Sequence, residues 1–114
     1  MAAYVDQMRL PFRGYIMSHL TADSLAELHA MARRIGMQRR WFQAPPIASY
    51  PHYDIPEDKR EMALRYGAVS VGNKGGLHFA AKLGLELAVL RGDAIYARRC
   101  ARLMSRTVKY IPEM

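Results

Sequence analysis

Only one of the 114 residues is a cysteine, Cys100, so no disulfide can close within the chain. Chains without crosslinks belong by default to a reducing compartment, and the cytoplasm is the expectation. Long apolar runs are missing as well. The longest, Leu83 to Leu90, is interrupted by Glu86 and falls far short of the ~20 residues that cross a bilayer, so no membrane partner is expected. The first residues, Met1-Ala-Ala-Tyr-Val-Asp-Gln7, have neither the basic opening nor the apolar stretch of a signal peptide. There is no low-complexity tract, and 51% of the residues are apolar. That excludes a disordered chain and supplies one core, for a single domain over 1–114. Acidic side chains are scarce, ten against 17 Lys and Arg, which leaves a net charge of +7. The imbalance favours an anionic partner, whether nucleotide, nucleic acid or acidic protein, over a purely solubilising role.

Familiar catalytic spacings are absent too. No H-x-H, H-E-x-x-H or C-x-x-C occurs, so spacing gives a divalent metal little support and no cofactor is expected. The P-loop order G-x-x-x-x-G-K-[ST] is missing, as is a nucleophile elbow.

What is present centres on Ala48-Ser-Tyr-Pro-His-Tyr-Asp-Ile-Pro56, which sets His52, Tyr53 and Asp54 side by side. Each residue before a proline is pushed away from helix, so this segment is extended. Pro56 fits a first helical position, with Glu57 and Asp58 favourable in the first turn. An imidazole, a phenol and a carboxylate thus meet at a strand-to-helix junction, where α/β proteins build sites.

The rest of the chain alternates in the same manner. Tyr4 to Asp6 reads as a short strand, Leu10 to Gly14 as a turn, and Tyr15 to Leu20 as a second strand. Ser24 with Glu27 forms a capping-box pattern, Leu25, Leu28, Ala32 and Ile35 share a helical face, and Gly36 stops the helix. Met37 to Gln43 reads as extended. A helix from Pro56 to Tyr66, a stop at Gly67 and a strand over 68–71 follow. Gly72-Asn-Lys-Gly-Gly76 reads as a loop, then come a nearly all-apolar helix over 77–91 and a last helix from the Asp93 cap to about Lys109. The fold class is α/β, with α+β as the alternative: a small sheet packed with helices and a C-terminal helical hairpin. An all-apolar helix must be buried, either within the chain or against a second copy in a homo-oligomer formed through 77–91.

Several constellations could carry chemistry. Asp6, His19, Asp23, His29, His52 and Asp54 are potential acid–base or ligand groups, with His19 and His52 near strand ends the stronger histidines. Asp23 reads first as a helix cap and His29 as a packing residue. Arg39, Arg40 and Trp41, beside Arg33, Arg34 and Phe42, pair guanidinium forks with aromatic rings as a nucleotide pocket requires. The competing account is a solvated arginine face over core aromatics. Lys74 in the glycine segment can meet an anion, although a plain connector is the simpler account. Arg98, Arg102 and Arg106 recur at every fourth residue and share one side of the last helix, suiting an anionic partner or a solvated face.

In order along the chain stand Tyr4-Val-Asp6, Ser18-His-Leu20, Asp23-Ser-Leu-Ala-Glu-Leu-His29, Ile35-Gly36, Arg40 with Phe42, His52-Tyr-Asp54, Arg60 and Gly67-Ala68. This ordered set resembles a small bacterial and phage family, domain of unknown function 4031, over about residues 3–71. The resemblance implies no reaction. It does imply that Asp6, His19, Asp23, His29, His52, Tyr53, Asp54 and Arg60 belong to the family pattern, with 72–114 an extension beyond it. It also implies a phage-associated setting, counter-defence being one such role.

The leading expectation is a binding module for a phosphorylated small molecule or nucleotide. Arg39, Arg40 or Arg60 would grip phosphate, Trp41 or Tyr53 would stack, and His52 and Asp54 would read polar edges. One alternative is a hydrolase or transferase in which His19 or His52 is acid or base, oriented by Asp54 or Asp6. Another is a basic accessory protein that binds nucleic acid or protein through Arg98, Arg102 and Arg106. All three place the expected side chains around a common pocket or stripe.

Overall fold

Five short strands alternate with four α-helices in the computed structural model, which describes residues 2–112. Met1, Glu113 and Met114, the ends of the expected domain, lie outside the described residues. In chain order the elements are β1 (Ala3–Val5), β2 (Leu10–Phe12), β3 (Tyr15–Ala22), α1 (Leu25–Arg34), β4 (Tyr53–Pro56), α2 (Glu57–Arg65), β5 (Val69–Ser70), α3 (Asn73–Arg91) and α4 (Ala94–Thr107). The class is α/β, around a small mixed sheet.

β3 organises that sheet. Its Leu20 is matched by Val5 of β1 and by Tyr53 of β4, and its Met17 by Leu10 of β2 and by Pro56 of β4. Hence β4 runs along one edge of β3, while β2 and β1 follow one another along the other. β5 then joins β1 in parallel.

Alternation sorts the two sheet faces. Val5, Leu20, Ala22, Tyr53 and Ile55 fall on one side and pack with Leu25, Leu28 and Ala32 of α1, Ile35 just after it, and Ala63 of α2. Each Val, Leu or Ile side chain among them contributes about 1.5–3 kcal/mol on burial. The opposite face carries Tyr4, Asp6, His19, Thr21, His52 and Asp54. α3 covers part of it, where Phe79 stacks on Tyr4 with ring centroids 3.6 Å apart.

The local signals act as the sequence indicates at several points. Ser24 Oγ accepts from the Glu27 N–H at 3.2 Å, Gly36 is left-handed, and Asp93 caps α4 by accepting from the Tyr96 N–H at 3.0 Å. Asp23 differs: it is no cap but a knot that accepts from the Ala2 N–H, the Tyr4 hydroxyl and Lys82 Nζ.

Three segments depart from expectation. Leu10–Phe12 is a strand rather than part of a turn, and only Arg13 and Gly14, both with positive φ, turn the chain. Pro11 is tolerated because β2 pairs with β3 alone and is an edge. Met37–Gln43 is not extended, because a 3₁₀ turn over Arg39–Trp41 interrupts it. Gly72–Gly76 is not a loop, since α3 starts at Asn73. Its glycines let α3 approach closely: a Cβ on Gly76 would lie 3.0 Å from the Asp6 Cβ, and one on Gly75 2.9 Å from the Tyr110 carbonyl oxygen. α3 buries Phe79, Ala81, Leu83 and Leu87 inside the chain and leaves Val89 and Leu90 exposed. Ile95, in the first turn of α4, is 75% exposed.

Candidate functional site

Sheet register assembles the site. Beyond the paired Val5 and Leu20, the Asp6 N–H donates to the His19 carbonyl at 3.2 Å, so the two residues stand opposite each other. On the other edge of β3, His19 is matched with Asp54. Asp6, His19 and Asp54 therefore form a row across three strands, on one face. His52 lies two residues before Asp54 and joins that face, while Tyr53 between them points to the core.

The contacts along the row are short. Asp6 is buried; its Oδ1 accepts from the backbone N–H of His19 at 2.9 Å and of Met8 at 3.2 Å. Its Oδ2 lies 2.6 Å from His19 Nδ1. His52 Nδ1 lies 2.8 Å from the Tyr50 carbonyl oxygen. A carbonyl only accepts, so that nitrogen carries the proton. Both rings are thus held by Nδ1, and both turn Nε2 toward Asp54 Oδ1, at 3.6 Å for His19 and 3.2 Å for His52. Gln43 donates to the other oxygen, Asp54 Oδ2, at 2.7 Å.

That arrangement leaves one acceptor without a donor. A neutral imidazole protonated on Nδ1 presents a lone pair at Nε2. With the rings neutral, two lone pairs face a carboxylate oxygen, and Asp54 Oδ1 is a buried oxygen without a hydrogen-bond partner. A second proton on a ring, or a cation between the three atoms, resolves the conflict. Hydrogen bonding to Asp6 raises the His19 pKa, against the lowering effect of burial. Burial would raise the Asp54 carboxyl, but hydrogen bonding from a protonated His52 ring and from Gln43, with the charge of both imidazoles, outweighs that and holds it below its ordinary value.

His19 and His52 line a cavity of about 290 Å³, together with Asp6, Thr21, Tyr50 and, from the first turns of α3, Asn73 and Gly76. Asp54 stands beside the two rings at the edge strand β4. No Arg or Lys lines this cavity. α3 has no side-chain cap at Gly72, so its first amides are free of that competition.

The remaining expected residues lie elsewhere. Arg39 and Tyr53 line a second cavity of about 330 Å³ with His29 and Arg33, on the α1 side of the sheet. There the Tyr53 hydroxyl and His29 Nδ1 are 2.8 Å apart, the packing role read for His29. Arg40 and Trp41 are exposed on the 3₁₀ turn. Arg60 donates to the Asp6 carbonyl at 3.1 Å and to Ser70 Oγ at 3.2 Å, fastening β1 near β5 rather than entering the histidine cavity. Lys74 Nζ donates to the Tyr110 hydroxyl at 3.3 Å. Arg98, Arg102 and Arg106 are exposed along α4, and among the described residues none is in an ion pair. The expected single pocket thus separates: Asp6, His19, His52 and Asp54 converge, and the arginines do not. Sequence reading missed two supports, Gln43 and the Tyr50 carbonyl, neither of which carries a recognisable chemical signature.

Residues 3–83 match the family described as protein of unknown function (DUF4031). The chain belongs to that family. The DUF4031 region reaches past the residue 71 read from the sequence, and takes in Gly72–Gly76 and the first half of α3. It therefore contains the strand row, both rings and the helix turn that faces them, while the α4 arginines lie beyond it. No curated protein and no solved structure matches the chain.

Proposed function

We propose that this DUF4031 chain is a hydrolase acting on a small phosphorylated molecule, with nucleotides as the class to test first. One observation carries this reading: donor atoms of His19, His52 and Asp54 lie within 4.8 Å of one another beside a cavity that both rings line. Two imidazoles and a carboxylate, each fixed by a further hydrogen bond, are groups that activate water near neutral pH. Asp6 and the Tyr50 carbonyl fix the rings and leave Nε2 as the working atom.

The distribution of charge favours chemistry over simple capture. A binding module for phosphate was expected to use arginine forks, yet Arg39, Arg40 and Arg60 all lie outside this cavity. The free amides at the start of α3 are the group on hand for a phosphoryl oxygen. Tyr50, Leu77 and Ala80 offer an apolar wall. At about 290 Å³ the space suits a ligand at the small end of the usual ~300–1,000 Å³ range.

The test incubates purified protein with nucleotides, phosphomonoesters and phosphodiesters, with and without divalent metal. Product release that disappears in His52→Ala, with the circular dichroism unchanged, supports hydrolysis. A folded wild type that consumes nothing in the panel removes it.

A second reading attaches to α4, whose Arg98, Arg102 and Arg106 are exposed and free of acidic partners among the described residues. It makes the helix a contact for nucleic acid. Binding to a single-stranded oligonucleotide should then weaken steeply with salt and vanish when the three arginines are replaced by glutamate. Equal binding by wild type and variant excludes the stripe.

A further inference from the structure

We infer that His19 Nε2, His52 Nε2 and Asp54 Oδ1 form a site for one divalent first-row transition-metal ion, of the zinc, iron or manganese kind. The inference rests on this cavity being the reactive centre, and it names the agent that activates the water. Five observations support it.

The first is the donor set. Two imidazoles with one carboxylate suit first-row divalent ions, whereas calcium and magnesium prefer oxygen throughout. Among the described residues, His19, His52 and Asp54 are the one such group whose ligand atoms come within 4.8 Å of one another.

The second is distance. With metal–ligand bonds of about 2.0–2.2 Å, neighbouring ligand atoms sit about 3.0–3.5 Å apart. The two nitrogens stand 3.2 and 3.6 Å from Asp54 Oδ1, and all three atoms lie within 4.8 Å of one another, so movements of about an ångström close the shell.

The third is proton placement. The Nδ1 atoms are committed, to Asp6 Oδ2 at 2.6 Å and to the Tyr50 carbonyl at 2.8 Å. A metal-bound histidine is normally fixed in this way, by a carboxylate or a carbonyl on its other nitrogen. Gln43 does the same for the carboxylate, holding Oδ2 at 2.7 Å and leaving Oδ1 for the ion.

The fourth is the unpartnered atom. With neutral rings, buried Asp54 Oδ1 has no hydrogen-bond donor, although two nitrogens point at it. A buried acceptor left in that state has lost its hydration without compensation, and a cation supplies the missing partner.

The fifth is charge. Asp6 and Asp54 stand against no Arg or Lys in the cavity lining, in a chain whose net charge is +7. A patch of acid in a basic protein favours a cation locally.

With a cation bound, the rings serve as ligands rather than as bases. Water on the open side of the ion, where the side chains of His19 and Asp54 remain 28% and 34% exposed, is acidified enough to lose its proton to solvent near neutral pH.

The experiment uses the full chain stripped with chelator. Zn²⁺ is titrated calorimetrically, and Co²⁺ is added as an optical probe. The expected result is one ion per chain, with cobalt d–d bands typical of nitrogen and oxygen ligands. His19→Gln, His52→Gln and Asp54→Asn should each weaken binding more than the ~10- to 100-fold seen when outer supports are lost. His29→Gln, on the far side of the sheet, should bind as wild type. Because a variant can fail to fold, ¹⁵N spectra of the unaltered protein supply a second measurement: Zn²⁺ must move the Nε2 resonances of His19 and His52 and leave those of His29 and His78 in place. Absence of stoichiometric binding, binding that survives loss of both His19 and His52, or shifts confined to other histidines overturns the site. Stoichiometric binding at these residues with no turnover upholds the metal site and removes hydrolysis.

Discussion

Two cavities of similar size flank the same strands and have opposite chemistry. The one under α3, about 290 Å³, contains His19 and His52 with Asp6 at its wall and Asp54 beside it. The one beside α1, about 330 Å³, contains His29 and Tyr53 with Arg33 and Arg39. His52, Tyr53 and Asp54 are consecutive, yet strand alternation sends the middle residue to one face of the sheet and its neighbours to the other. A sequence cluster is thus divided into an acidic group that turns lone pairs inward and a cationic group whose histidine is already spoken for. Reactivity follows the first set, because its nitrogens are oriented and left unpaired, whereas His29 and Tyr53 satisfy each other at 2.8 Å.

The largest expected effect separates the two faces by turnover. His52→Ala or Asp54→Asn should lower it about 100- to 10,000-fold, since each removes a group on which activation of the water depends. Tyr53→Phe removes one hydroxyl on the other face and should leave turnover per folded molecule within about twofold, at a stability cost of about 1 kcal/mol for the lost hydrogen bond. Steady-state kinetics with a denaturation curve for each variant decides the matter. If Tyr53→Phe is the damaging change, the assignment of the two faces is reversed.

A smaller effect is expected in the pH dependence of stability, where the two histidines pull in opposite directions. His19 holds its proton more tightly folded than unfolded, chiefly through Asp6. Its contribution is complete below the ordinary pKa of 6.5 and is lost as pH rises through the raised value. His29 is lowered, first by burial and then by the charge of Arg39. The unfolded chain takes up a proton below 6.5 that folded His29 refuses, so stability declines as pH falls through that window toward the lowered value. Urea denaturation of metal-free protein across this range should show His19→Gln flattening the limb above pH 6.5 and His29→Gln flattening the limb below it. Identical slopes in both variants would contradict the contrast.

How much of this was legible follows from the range of each interaction. The Ser24 capping box, the Gly36 stop, the Asp93 cap and the extended His52–Asp54 segment depend on near neighbours, and the sequence shows them. The row Asp6–His19–Asp54 depends on pairing between strands distant in the chain, which no local pattern encodes. Pro11 hides β2, because proline argues against a strand until the strand is known to be an edge. Gly75 and Gly76 hide the start of α3, because each glycine disfavours helix by about 1 kcal/mol relative to alanine. Close contact with Asp6 and Tyr110 outweighs that preference, and helix propensity alone gives no hint of it. The Arg39–Arg40–Trp41 cluster shows the reverse: conspicuous in sequence, it lies on a solvent-facing turn.

The smallest expected effect tests whether that conspicuous cluster matters at all. Arg39 is exposed, lines the α1-side cavity and not the one under α3, and acts on His29 through its charge. Arg39→Ala should therefore change turnover by less than about twofold and stability by no more than about 0.5 kcal/mol, as for a surface position without a special contact. It should also relax the His29 pKa toward its ordinary value, since one of the lowering influences is gone while burial remains. An NMR titration of His29 in wild type and variant reads that shift directly. A large loss of turnover in Arg39→Ala, with the fold intact, would instead place substrate phosphate in the cationic cavity and require that the two faces act on one ligand.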